Sequence, residues 1–366
     1  MSNGNGAEAE FAGQLAEYCR SDALSEEGLR EKLLDKLINA GLDLDAAELC
    51  EELLLHEICD NERVTKGIIR CILDCVPGTS LCADEDGNMP LHYVLWNKNV
   101  TLKIVQLLIN AAPESIMHQN NDGLMPIHRL CSNPHLDNAV ALKILKFLID
   151  YYPKGVRHAD KDFNLPIHIA CESQPAEFCR MLIEAYPGSE RIADSNGMLP
   201  LHCACQFGEV ATMKYVLGLC PEGMMFLSKY GYPLHCAIAG LCDRENADTV
   251  IEMVEALLSR VRDHSLATRT YRWKGGDDKL VTPLLQSAFL QEYNDSNLPV
   301  GLKVIQLLYD ACPRAIKVCN PFLIHELCKK EQVAEGLVRC LLKYLPTAAS
   351  VADEGKKNPI SHSPRL

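Results

Sequence analysis

No stretch of the 366-residue sequence approaches the roughly 18 to 20 apolar residues that span a bilayer. The first ten residues, MSNGNGAEAE, have neither the basic start nor the apolar core of a secretory signal. The 18 cysteines are too sparse for a small disulfide scaffold. We therefore expect a soluble intracellular protein, cytoplasmic or nuclear and without membrane insertion, whose thiols are free and mostly buried.

Positive charge is also scarce, because 36 Lys and Arg face 49 Asp and Glu, for a net charge of −13. A general binder of nucleic acid would need the opposite excess, so we expect no nucleic-acid partner. The acidity is concentrated at one end. Residues 1–62 hold 16 acidic and 4 basic residues, which leaves 33 acidic and 32 basic residues for the rest of the chain.

Motifs that carry chemistry are missing as well. The sequence has no G-x-x-x-x-G-K phosphate loop, no H-E-x-x-H, and no pair of C-x-x-C elements at zinc spacing. We therefore expect no enzyme activity, no cofactor and no metal site.

What the sequence does contain is a short repeated phrase with a proline, an aliphatic residue and a histidine at its centre. The strong copies are NMPLHYVL (88–95), LMPIHRLC (124–131), NLPIHIAC (164–171), MLPLHCAC (198–205) and GYPLHCAI (231–238). Weaker copies are LLHEIC (54–59), TPLLQSA (282–288) and LIHELC (323–328). Successive copies lie 33 to 50 residues apart, and we predict that their histidines are structural: His56, His92, His128, His168, His202, His235 and His325.

Each copy predicts the same local structure. A turn such as Asp86-Gly87 precedes the proline, which suits the first turn of a short helix. The second and third residues after the histidine are apolar in every copy that has the histidine, as the buried face of a helix requires. A second apolar helix follows and stops at a proline, for example Pro77 or Pro113.

These residues resemble the ankyrin repeat, whose hallmark phrase is T-P-L-H-x-A. The resemblance covers roughly residues 54 to 360 in a divergent [ML]-P-[LI]-H-x-x-C form. It implies an all-α fold, an ankyrin-type solenoid of helix-turn-helix repeats with β-turn fingers, in which each repeat contacts only its neighbours. The family's threonine is replaced in the five strong copies, so its hydroxyl contact with the repeat histidine is not expected at Met89, Met125, Leu165, Leu199 and Tyr232.

Four segments follow from this pattern. Residues 1–53 are expected to form an acidic helical N-terminal cap, with a helix starting near Ser25-Glu26-Glu27, and 54–239 to form regular ankyrin-like repeats. Residues 240–282 are expected to be an irregular repeat with a long inserted loop. Residues 283–366 are expected to return to ankyrin-like repeats and to end in an incomplete unit.

The resemblance implies a non-catalytic adaptor or scaffold that binds a protein or peptide partner on the concave face of the stack. The candidate contacts are residues one, four and five positions after a repeat histidine, because these positions lie off the buried face. They include residue types enriched in interface hot spots. We predict partner binding by Tyr93, Trp96, Asn97, Arg129, Gln206 and Phe207.

Three alternatives remain open. Trp96 and Phe207 could instead fill gaps between repeats. Cys203 and Cys236 follow a repeat histidine directly, on the freer face, and could serve a thiol-based redox or metal sensor. An enzyme remnant could have its site in 240–282. The sequence does not predict the oligomeric state.

Overall fold

The structure is a computed structural model that describes residues 4–34, 53–241, 248–260, 271–272, 280–281, 284–294, 296–314, 323, 327, 335–344 and 346. The chain forms two compact units, Met1–Ser189 and Glu190–Leu366. The four segments expected from the sequence were defined by the type of repeat, and these two units are defined by compactness. The four segments therefore stay predictions.

The first unit is built from helix pairs that stack in two rows. The described helices are α1 (Gly4–Arg20), α2 (Glu26–Leu34), α3 (Leu54–Asp60), α4 (Lys66–Cys75), α5 (Pro90–Trp96), α6 (Leu102–Ala111), α7 (Pro126–Ser132), α8 (Asn138–Tyr151), α9 (Pro166–Ser173) and α10 (Ala176–Ala185). The odd-numbered helices α1 to α9 pack successively on one another and form what we call the first-helix row. The even-numbered helices α2 to α10 do the same and form the second-helix row.

The second unit repeats this arrangement. Its described helices are α11 (Pro200–Gln206), α12 (Val210–Leu219), α13 (Pro233–Ala239), α14 (Asp248–Leu258), α15 (Leu284–Leu290), α16 (Leu298–Ala311) and α17 (Glu335–Tyr344). Here α11, α13 and α15 form the first row, and α12, α14, α16 and α17 form the second. The fold is therefore all-α and solenoidal, as the sequence predicts.

The predicted insertion contains a short β-hairpin pairing. Two short strands, β1 (Tyr271–Arg272) and β2 (Leu280–Val281), pair antiparallel, with Tyr271 opposite Val281. Other residues of the inserted loop, including 261–270 and 273–279, lie outside the described residues, as do His325 and the C-terminal stretch 347–366.

The short first helices follow from proline and from apolar periodicity. Pro90, Pro126, Pro166, Pro200 and Pro233 each occupy the first helical position, where the missing N–H costs no hydrogen bond. The second and third residues after the histidine are fully buried wherever they are described, for example Val94 and Leu95, each at 0% exposure. This prediction is confirmed.

Seven of the described second helices end two residues before a predicted proline. In α6 the buried side chains are Ile104, Val105, Leu108 and Ile109, the spacing of one helix face. Four second helices, α4, α6, α8 and α12, are followed by a short 3-10 turn that begins with proline: Pro77–Leu81, Pro113–Met117, Pro153–Arg157 and Pro221–Met225. Proline cannot continue the hydrogen-bond ladder, so it fixes where these four helices stop.

The N-terminal helices join the same two rows. Helix α1 packs on α3 and buries Phe11, Ala12, Leu15, Ala16 and Cys19, while α2 starts at Glu26 and packs on α4. No helix among the described residues is long and apolar enough to cross a membrane.

The turns between repeats project as short fingers that are tied to one another. In the first unit, the Asn121 amide donates to the carbonyl oxygen of Asp86 at 2.8 Å, and the Lys161 amide donates to that of Asp122 at 2.9 Å. Each finger has one left-handed residue, which is glycine at Gly87 (φ 76°) and Gly123 (φ 79°) but phenylalanine at Phe163 (φ 62°).

Candidate functional site

A cavity of about 190 Å³ lies on the first-helix row of the first unit, and we call it the Trp96 cavity. Three successive repeats line it: Asp60 from α3, Tyr93 and Trp96 from α5, and Arg129 from α7. Asp86, Asn88 and His92 complete the lining. The structure therefore brings three of the predicted partner-binding residues, Tyr93, Trp96 and Arg129, to one place.

Trp96 contributes an exposed apolar surface to the lining of this cavity. It is the last residue of α5 and is 43% exposed, whereas the core residue Phe178 of the same unit is 0% exposed. The indole is therefore not buried in the core between repeats.

Tyr93 is half-buried and its hydroxyl group is engaged. It donates to Oδ2 of Asp84 at 2.7 Å, and the ring meets the His56 ring edge-on at 5.3 Å. Burial, followed by the bond to the Asp84 carboxylate, raises the pKa of Tyr93, so it stays protonated. Burial would raise the pKa of Asp84, but the bonds from Tyr93 and Asn88 outweigh it and lower that pKa.

Arg129 lies against the polar side chain of Asn88. Its Nη2 donates to Oδ1 of Asn88 at 3.3 Å, and the same oxygen accepts a bond from Nδ2 of Asn120 at 2.9 Å. Within the described part of the chain Arg129 forms no ion pair. Its guanidinium group is thus positioned by a neutral partner and keeps its charge uncompensated.

Asp60 and Asp86 supply negative charge to the cavity rim. Both are exposed, and neither forms an ion pair with a described residue. Partial burial, with a smaller contribution from Glu57, raises the pKa of Asp60. Sequence reasoning missed both residues, although Asp60 lies four positions after His56, the same position that Trp96 takes after His92.

Asn97 does not belong to this surface, and its prediction as a partner contact is wrong. It is only 5% exposed, and its Nδ2 donates to the carbonyl oxygens of Cys59, Asp60 and Asn61 at 2.9, 3.2 and 2.8 Å. Helix α5 ends at Trp96, and Asn97 has extended backbone (φ −72°, ψ 129°), so the helical spacing used to place it no longer applies.

The same bond recurs along the first-helix row of the first unit. Nδ2 of Asn61 donates to the Cys19 carbonyl oxygen at 2.9 Å, and Nδ2 of Asn133 donates to that of Leu95 at 3.0 Å. At the next step Nε2 of Gln174 donates to the Asn133 carbonyl oxygen at 2.6 Å. We call this series the amide ladder; it satisfies carbonyl groups that the short helices leave unpaired at their C-terminal ends.

Gln206 and Phe207 lie in the second unit, at the end of α11. Phe207 is 44% exposed and Gln206 is half-buried. As partner contacts these two residues stay a prediction.

The described repeat histidines are buried, and their rings form hydrogen bonds with backbone groups. In α5, Nδ1 of His92 accepts the Met89 amide at 3.0 Å, so the proton is on Nε2, which donates to the Leu124 carbonyl oxygen at 3.1 Å. The amides of Met125, Leu165, Leu199 and Tyr232 make the same bond to His128, His168, His202 and His235. The residues in the threonine slot make no side-chain cap bond, as expected.

Burial keeps these imidazoles neutral. It lowers the pKa of both His92 and His128 to about 4. A neutral ring is what the bond from the Met89 amide requires, since a protonated Nδ1 could not accept it.

The described thiols are mostly buried. Thirteen are free, and eleven of these are buried. The expectation that Cys203 and Cys236 lie on a freer face is wrong, because they are 2% and 1% exposed. Helices α11 and α13 pack on each other, and a small side chain at this position lets them close over it. The expectation of free thiols is also wrong at Cys82, which is disulfide-bonded.

The pKa of the thiols and the grouping of possible metal ligands bear on the sensor alternative. Burial raises the pKa of the exposed thiol Cys75 and raises that of Cys236 to about 12, which disfavours the reactive thiolate. No group of three or more His, Cys, Asp or Glu residues in the described part of the chain could hold a metal ion.

Comparison with known proteins agrees with the repeat pattern. A family model described as ankyrin repeats, in three copies, matches residues 138–224. This part of the chain consists of ankyrin repeats. Ankyrin repeats generally mediate protein–protein interaction and are generally non-catalytic.

Individual relatives add little to this ankyrin assignment. None of the curated proteins compared with the chain matches it. One similar solved structure is the Bd0816 predatory endopeptidase from Bdellovibrio bacteriovorus in complex with immunity protein Bd3460. The matched chain is 15% identical, with a TM-score of 0.41, and the match covers 54% of this chain and 96% of that one. A likeness at this level indicates no partner.

Proposed function

We propose that this protein is a non-catalytic adaptor that binds a protein or peptide partner on the first-helix row of its first unit, centred on the Trp96 cavity. The observation that carries the proposal is a 43% exposed tryptophan set in a cavity beside Tyr93 and Arg129. Trp, Tyr and Arg are the residue types most enriched among interface hot spots.

The surroundings of Trp96 support a preorganised site. Tyr93 is held by Asp84, and Arg129 is held by Asn88, so two of the three contact side chains are already positioned. Covering the exposed part of one indole removes about 100 Å² of mostly apolar surface and contributes about 2.5 kcal/mol. A gain of that size is typical of a hot spot.

A random peptide library panned against the full-length protein tests this proposal. Enriched peptides are synthesised, and their Kd values are measured for the wild type and for Trp96→Ala. The matched control is Tyr151→Ala, because Tyr151 has a similar exposure of 45% but lies on the second-helix row. We expect Trp96→Ala to weaken binding at least tenfold with little change in Tm, and Tyr151→Ala to leave the Kd unchanged. Peptides that bind equally well to both variants would overturn the proposal.

A further inference from the structure

The Trp96 cavity contains more negative charge than its own residues neutralise. Asp60 and Asp86 have no ion-pair partner among the described residues, whereas other carboxylates of the same unit do. Oε1 of Glu57 lies 2.9 Å from Nε of Arg20, and Oε1 of Glu62 lies 2.6 Å from Nζ of Lys98. Both carboxylates that line the cavity are therefore without an ion-pair partner among the described residues.

A third carboxylate adds to this field from just behind the rim. Asp84 is kept ionised by the Tyr93 hydroxyl group and by the backbone amide of Asn88, which donates at 2.7 Å. Arg129 is the only cation among the seven lining residues. The hydrogen-bond partner of Arg129 is the neutral side chain of Asn88. The three carboxylates of Asp60, Asp86 and Asp84 therefore outnumber the single positive charge of Arg129.

The aromatic groups of the cavity suit the same kind of ligand. An ammonium or guanidinium group is attracted to the face of an indole, and the attraction strengthens when the cation is partly desolvated. A volume of about 190 Å³ lies below the range of pockets for drug-sized molecules but accommodates one side chain.

We propose that the Trp96 cavity receives a lysine or arginine side chain from a linear segment of the bound partner. The cationic group lies between Trp96 and the carboxylates of Asp60 and Asp86. Arg129 contacts a carbonyl or carboxylate oxygen elsewhere in the same segment. This inference rests on the proposed function, because it specifies the ligand of that same site.

The physical argument is one of charge complementarity. A carboxylate that has lost part of its hydration without gaining a partner is less stable as an ion, which is what the raised pKa of Asp60 reports. The attraction of a bound cation to the carboxylates of Asp60 and Asp86 offsets that penalty. The Trp96 indole excludes water on one side of the contact.

The test uses the same random peptide library, panned in parallel against the wild type and against the double variant Asp60→Asn, Asp86→Asn. Neither side chain forms a hydrogen bond or ion pair with another described residue, so we expect the double variant to keep the wild-type Tm. The matched control is Asp122→Asn, because Asp122 occupies the position of Asp86 in the next finger and does not line the cavity.

We expect peptides selected on the wild type to share one lysine or arginine position. Replacing that residue by glutamine, or using the double variant, should weaken binding at least tenfold. Asp122→Asn should leave the Kd unchanged, and higher salt should weaken binding to the wild type more than binding to the double variant.

Two results would contradict the inference, and they are distinguishable. Enriched peptides that need Trp96 but share no basic residue, or that bind the double variant equally well, overturn the charge assignment and leave the proposed function standing. Enriched peptides that do not need Trp96 overturn the proposed function and the inference with it.

Discussion

The side-chain amide of Asn97 donates to the main-chain carbonyl oxygen of Asn61 at 2.8 Å, and so joins the ends of two successive first helices. Asn61 in turn donates to the carbonyl oxygen of Cys19 in α1. The residues that set the spacing of the first-helix row are therefore amides just beyond each short helix, together with the repeat histidines at its start.

This relationship predicts that Asn97→Ala lowers the free energy of unfolding by about 2–3 kcal/mol, because buried carbonyl groups lose their donor. Asn99→Ala is the matched control. It removes the bond from Nδ2 of Asn99 to the Glu62 carbonyl oxygen at an exposed position, and should cost less than about 1 kcal/mol. Urea unfolding of both variants checks the prediction, and equal losses would refute the role assigned to Asn97.

A substitution at Phe163 is predicted to stabilise the protein. Phe163 adopts a left-handed conformation (φ 62°) in the position that glycine takes in neighbouring fingers. A residue with a Cβ is strained there by roughly 1–2 kcal/mol. Phe163→Gly should therefore stabilise the protein by about 0.5–1 kcal/mol, after the extra freedom of glycine in the unfolded chain is allowed for.

The reverse substitution is Gly123→Ala. Its new Cβ would lie 3.0 Å from the Lys161 backbone nitrogen at φ 79°, so we expect a loss of at least about 1 kcal/mol. Thermal unfolding of both variants gives the comparison. A destabilised Phe163→Gly would show that the phenyl ring makes stabilising contacts that outweigh the strain.

The buried histidines predict a specific pH dependence. The pKa of His92 and that of His128 are lowered to about 4 in the folded state, against about 6.5 when unfolded. The unfolded chain binds protons first, so stability is fully present above about pH 6.5 and is lost progressively towards pH 4.

From pH 7.5 to pH 5.5 these two residues together should reduce the free energy of unfolding by about 2–3 kcal/mol. Most carboxylates stay ionised across that range, so it isolates the histidines. Urea titrations at several pH values measure the slope. A flat profile between pH 7.5 and pH 5.5 would contradict the burial of these imidazoles as neutral rings.

Thiol reactivity gives a fourth prediction. A short pulse of iodoacetamide on the native protein at pH 7.5, followed by peptide mapping, should leave Cys131, Cys203 and Cys236 unmodified until a denaturant is added. These thiols are buried, and burial raises the pKa of Cys131 and Cys236. Rapid native labelling of Cys203 or Cys236 would favour a thiol-based sensor instead.

The repeat pattern predicts much of the fold because period and burial are strongly coupled in a short helix. Proline fixes the first turn, and the two positions after the histidine slot must then face the core, as Val94 and Leu95 do. The joining of fingers through Asp86 and Asn121 is invisible in the sequence, since it depends on where one turn stops relative to the next.

The residues of the candidate site could be predicted from the sequence only where they lie within a helix. Tyr93, Trp96 and Arg129 lie within α5 and α7, so helical spacing placed them on one face. Asn97 lies one residue past the end of α5, where that spacing no longer holds. Asp86 and Asn88 come from a finger, and only the stacking of repeats brings them beside Trp96.

The environment of Trp96 during binding tests the central claim most directly. The chain has two tryptophans, so in a Trp273→Phe variant the emission reports Trp96 alone. On saturation with an enriched peptide we expect a blue shift and protection from acrylamide quenching, because the exposed indole becomes covered. A peptide that saturates the protein while Trp96 emission and quenching stay unchanged would show that the partner binds elsewhere.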